Sequence, residues 1–96
     1  MNIEVLPKAK LDLIDGAKFY SEQSRELGKY FLNTILSDIK SLHIYYGIHI
    51  KVRNYHRLLS KRFPYAIYYK YDKDRIYIYA ILDCRSNPMN INKRLS

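Results

Sequence analysis

Leu27, Phe31, Ile35, Ile39, Leu42 and Tyr46 stand at steps of four, four, four, three and four, a spacing that lays apolar side chains along one stripe of an α-helix. By Ile76 the period is two. Ile76, Ile78, Ala80, Leu82 and Cys84 take one face, Arg75, Tyr77, Tyr79, Asp83 and Arg85 take the other, and Ile81 is out of phase. A chain that changes period once segregates its helices from its strands, which restricts it to an α+β architecture with helices packed on one face of a sheet.

The remaining segments fill in the order. Asn2 to Leu6 alternates apolar and polar residues and runs into Pro7, the pattern of a short strand entering a helix with proline in its first turn. Lys8 to about Glu22 reads as an amphipathic helix with Leu13, Ile14, Ala17 and Tyr20 on its stripe. Gly16 inside it costs about 1 kcal/mol against alanine and suits a close helix approach. Ser24 is placed to cap a second helix with Glu26 in its first turn, and Gly47 to end it in a left-handed conformation. His56 to Phe63 is a strand candidate ending at Pro64, and the tyrosine-dense segment Pro64 to Tyr71 pairs with the Ile76 strand through Asp72-Lys73-Asp74. From Ser86 on, Asn, Pro and Ser predict an irregular tail or a short terminal turn. Gly47 to Asn54 carries no deciding signal. The expected fold is α+β: an N-terminal strand, an antiparallel two-helix hairpin, then a three-stranded antiparallel meander in one sheet, β-α-α-β-β-β.

At 96 residues and 48% hydrophobic, with three glycines and three prolines, the chain suits one domain, residues 1–96, and excludes disordered and fibrous classes. Its longest apolar run, Ile76 to Leu82, is far below the roughly 20 residues of a membrane span, so no membrane partner is expected. The start of the chain lacks the apolar core of a secretion signal, and a cytoplasmic location is expected. The lone Cys84 excludes an internal disulfide and reads as a small buried hydrophobe.

Charge is divided along the chain. Residues 1–38 hold five bases and six acids, a net of −1; residues 39–96 hold twelve bases and three acids, a net of +9, and Ile39 to Tyr71 contains no acid. A field so one-sided suits a polyanion, either nucleic acid or an acidic protein segment. Phosphate-cradling glycine loops and nucleophile triads are absent, and His43, His49 and His56 lack acids nearby for a metal set, so no metal or cofactor is expected. The informative residues are basic ones beside tyrosines. Strand alternation puts Arg57 and Lys61 on one side and His56 and Arg62 on the other. On the last strand it puts Arg85 with Tyr77 and Tyr79 on an exposed face suited to phosphates and bases.

The segment Leu58-Leu59-Ser60-Lys61-Arg62-Phe63-Pro64-Tyr65-Ala66-Ile67-Tyr68-Tyr69, followed by Ile78 to Arg85 and Ser86-Asn87-Pro88, resembles the RelE/ParE family of bacterial toxins. The family pattern is an "RFPYxIxY" strand, a short turn, and a strand ending in a basic residue shortly before Asn-Pro or Asp-Pro. Ala9, Leu11, Asp12 and Leu13 resemble its first helix. The resemblance implies the toxin of a type II toxin–antitoxin system of the kind linked to plasmid stabilization and growth inhibition, without cofactor. It also implies a cognate acidic antitoxin that wraps the toxin into a hetero-oligomer. RelE-like members cleave mRNA on the ribosome, for which Arg57, Lys61, Arg62 and Arg85 match basic positions; ParE-like members inhibit DNA gyrase without that catalytic set. No Tyr or His follows Arg85 to act as acid or base, and "RFPYAIYY" leans to the ParE branch. Target-binding residues are then expected among Arg57, Lys61, Arg62, Tyr77, Tyr79 and Arg85, with a non-toxic antitoxin-binding module as a further alternative.

Overall fold

The computed structural model describes residues 1–96. Its elements are β1 (Asn2–Val5), α1 (Pro7–Gln23), α2 (Arg25–Tyr45), β2 (Lys51–Val52), β3 (Tyr55–Leu59), β4 (Tyr65–Tyr71), β5 (Arg75–Asp83) and α3 (Pro88–Leu95). The strands form one sheet in the order β1-β5-β4-β3-β2, with β1 parallel to β5 and every other pair antiparallel. The α+β reading and the helical hairpin hold; β2 and α3 are additions. No helix is long and apolar enough to cross a membrane.

The stripe read on α2 is the inner face of the hairpin. Phe31, Ile35, Ile39 and Leu42 are buried against Tyr65, Ile67, Tyr69, Ile76 and Ile78 of the sheet. Burying apolar surface stabilises the fold by about 25 cal/mol per Å², and this is the larger of the two apolar clusters. On α1 the buried positions are Ala9, Gly16 and Tyr20, while Ile14, expected on the stripe, is turned out and 59% exposed. Gly16 is required by packing, since a Cβ there would lie 2.6 Å from the ring of Phe31. Ser24 occupies the cap position of α2 without a side-chain bond. Gly47, two residues past the helix, has φ +87° as a left-handed ending requires.

Four expectations are corrected. The alternation of β5 reverses at a bulge: Tyr68 is registered with Ala80 but Tyr69 with Ile78, so Tyr79 is the extra residue. Ile76, Ile78 and Ile81 therefore face the helices, while Ala80 and Leu82 face the opposite side. That opposite side is not an open arginine–tyrosine surface. A second cluster fills it, in which Leu95 of α3 packs with Tyr55, Ala66, Tyr68 and Ala80 and is joined by Ile91, Tyr79 and Leu82. The tail expected to be irregular is thus a helix, started by Asn87, whose side chain accepts from the Met89 amide, with Pro88 in its first turn. Lastly, Cys84 lies beyond the end of β5 and is exposed.

A clasp fixes α3 to α1 around the edge of β5 that β1 leaves uncovered. Arg94 donates two hydrogen bonds to the Asp12 carboxylate, at 2.7 and 2.9 Å, and Asp12 Oδ2 also accepts from the backbone amide of Ile81, at 3.0 Å, just past the bulge.

Candidate functional site

The six basic and aromatic residues singled out from sequence do not converge. Because β3 ends at Leu59, alternation does not extend to Lys61 and Arg62, which lie in the connection before β4. Both turn to α2, sharing a hollow with Tyr30, Asn33, Ser37 and Asp38. Arg62 donates to the Tyr30 hydroxyl at 2.7 Å, with its guanidinium 5.9 Å from the ring centre. Arg57 sits on the opposite, α3-covered side of the sheet, registered with Tyr68, its Nε buried without a partner. Burial, and next the neighbouring Cys84, push the Tyr68 phenol above its ordinary value, so it serves as a neutral hydroxyl.

Arg85 lies past the end of β5, not on a strand face with Tyr77 and Tyr79. Its guanidinium forks onto Asp83, Nε at 3.0 Å and Nη2 at 2.8 Å, and this bond holds the Asp83 carboxyl below the usual range. Tyr20 and Tyr65 are its other charge-sensing neighbours. Burial, then Asp83, pushes the Tyr65 phenol up to about 12. Tyr77 reaches the Asp72 carboxylate, and Tyr79 stacks on Tyr55 with ring centres 4.4 Å apart. Burial also pushes the Tyr55 phenol up to about 12. Raised in this way, the Tyr55 and Tyr65 phenols are not poised to ionise as a base near neutrality.

A histidine–tyrosine network not anticipated from the sequence occupies the other end of the sheet, where the loop after α2 meets β3 and β4. The Tyr69 hydroxyl accepts from the Gly47 amide at 2.9 Å and contacts Nδ1 of His49. The hydroxyl can donate to that nitrogen when Nδ1 carries no proton. Burial, and then His56, hold the His49 imidazole below its ordinary value, which suits the neutral acceptor this requires. Nδ1 of His56 lies 2.7 Å from the His49 carbonyl; a carbonyl only accepts, so Nδ1 carries the proton. The His56 ring is held by stacking on Tyr69, centres 5.2 Å apart, and by a tilted contact with Tyr71 at 5.4 Å. Lys51, Asn54, His56, Lys70 and Tyr71 line a hollow of about 430 Å³ there. No cluster of His, Cys, Asp and Glu suited to a metal ion is present.

No family model and no curated protein matches the chain. A solved structure does: the fold is similar to that of a chain from the "Chromosomal ParDE TA system from P. aeruginosa", with a TM-score of 0.75 and 21% sequence identity, over 84% of this chain and 92% of the other.

Proposed function

We propose that the chain is the toxin of a type II toxin–antitoxin pair, of the ParE type, arresting bacterial growth through DNA gyrase and silenced by a co-encoded acidic antitoxin. The observation that carries this reading is the fold shared, over nearly the whole length of both chains, with a component of a ParDE system. The "RFPYAIYY" segment, which forms the turn into β4 and most of that strand, agrees with it.

The scatter of basic side chains favours gyrase over mRNA as target. Phosphodiester cleavage without a metal needs a base, an acid and cations converging on one phosphate. Here Lys61 and Arg62 lean on α2, Arg57 lies on the other side of the sheet beside Tyr68, and Arg85 is neutralised by Asp83. An inhibitor that works by docking needs no such convergence. The surface also suits an acidic, partly disordered antitoxin that orders on binding. Ile44, Tyr45, Ile48 and Ile50 are exposed at the end of α2 and in the loop that follows, next to Lys51 and Arg53, offering apolar and basic contacts together.

Induction of the chain alone in a bacterial host is expected to stop growth, and co-expression of a small acidic reading frame from beside its gene to restore it. Unimpaired growth on induction overturns the toxin reading; arrest with cut ribosome-bound mRNA and normal supercoiling transfers it to the RelE type.

A further inference from the structure

We propose that the hollow between the loop after α2 and the end of β3 is a preformed anchor site for one apolar side chain of the antitoxin, with an acidic residue beside it on Lys61. The identity of the occupant rests on the toxin–antitoxin reading. The hollow measures about 450 Å³, and Tyr45, Ile48, Leu58 and Leu59 supply its apolar walls. Three of these are largely exposed: Ile48 at 71%, Tyr45 at 53% and Leu59 at 52%. Concave apolar surface of this kind is where a partner gains most from burying a single side chain.

The loop wall is held in place before anything binds. The Tyr69 hydroxyl accepts from the Gly47 amide and contacts Nδ1 of His49, Nδ1 of His56 donates to the His49 carbonyl, and the Arg57 amide donates to the Ile50 carbonyl at 2.9 Å. These ties flank Ile48 on both sides, so little of the ordering cost of binding remains. Tyr69 is thus a positioning residue for the site. The facing wall ends in a free strand edge. The Ser60 amide bonds the Tyr65 carbonyl of β4, so antiparallel alternation turns the Leu59 amide the other way, past the end of β2, where it can donate to the occupant's backbone. Charge selects the occupant. Lys61 lines the hollow, Arg62 follows it, and neither forms an ion pair. Asp38 is the one acid of the lining, and one of its oxygens is buried. A second copy would bring further bases against these, because Ile39 to Tyr71 contains no acid, whereas an acidic segment is attracted.

The methyl resonances of Ile48 and Leu59 are followed by NMR in the full chain during titration with a short peptide alternating leucine and glutamate, with its leucine–lysine counterpart, and with a glutamate-only peptide. Saturable movement is expected with the first, and binding about tenfold weaker or more with the other two, which lack the matching charge or the apolar anchor. Lys61→Gln is expected to weaken binding by about fivefold or more, the size of a lost charge-assisted contact. Lys73→Gln removes the same charge from the turn at the far end of β4 and is expected to change it by less than about twofold, as a screened distant charge does. Tyr69→Phe, measured where both chains are folded, is expected to weaken binding by about threefold, the size of one newly ordered side chain. Unchanged affinity in Tyr69→Phe overturns the preformed wall. Absence of saturable movement, an equal response to the lysine peptide, or movement on raising the concentration of the chain alone overturns the site. The titration reads binding without toxicity, so it and the growth test can fail independently.

Discussion

Asp38 stands where α2 meets the residues after β3, with one carboxylate oxygen buried and unpaired. Burial raises its pKa, against smaller pulls from the Ser60 hydroxyl and the Lys61 charge. An acid that binds its proton more tightly in the native state imposes no penalty at low pH, and a growing one as pH rises from the unfolded value through the native value. Asp38→Asn is therefore expected to be more stable than the parent at pH 7 and equal to it near pH 3, as measured by urea unfolding; a pH-independent difference contradicts the assignment. Tyr69 makes a second case. It is fully buried, and its hydroxyl bonds the Gly47 amide and His49. Tyr69→Phe is expected to cost about 1–2 kcal/mol and to speed hydrogen exchange at Gly47; unchanged exchange there removes the anchoring role. Tyr69 reads in sequence as one more residue of a strand rich in tyrosine. Its special contacts depend on where the loop after α2 comes to rest, for which Gly47 to Asn54 carry no signal.

Among the elements, α2 is the most legible because a single stripe of Phe31, Ile35, Ile39 and Leu42 supplies its buried large side chains. Two features escaped for related reasons. The unbroken run Ile76 to Leu82 is the pattern of a strand buried on both faces, and simple alternation does not account for Ile81, which the bulge at Tyr79 turns inward. The second face needs a cover, and α3 provides it; Asn87-Pro88 was a cap followed by a first-turn proline, and Ile91 and Leu95 lie four apart. The four basic site candidates do not converge because β3 ends at Leu59, before Lys61 and Arg62, and β5 ends at Asp83, before Arg85. The hollow around His56 was illegible because it is assembled from β2, β3 and β4, which only pairing register brings together. The clasp that fixes α3 yields a prediction at this scale. Asp12→Ala leaves Arg94 and the Ile81 amide without their acceptor and is expected to cost about 2–3 kcal/mol, with exchange in α3 accelerating more than in α2. Uniform acceleration of both helices contradicts a local clasp.

At the scale of the whole molecule, the division of charge into −1 and +9 places nearly all the field on the strand half, which also carries the exposed apolar residues from Ile48 to Leu59. Association with an acidic antitoxin is expected to start through this field, so its rate constant should fall by about tenfold or more between low and high salt while dissociation changes little. Stopped-flow binding at two ionic strengths checks this; a salt-independent rate places the recognition in the apolar contacts alone. The proposed docking of the chain on gyrase is checked by adding the purified chain to gyrase with relaxed plasmid and ATP. Loss of supercoiling at near-stoichiometric chain, with ribosome-bound mRNA left uncut in a parallel reaction, is the result predicted. Full supercoiling at a large excess of folded chain would contradict it.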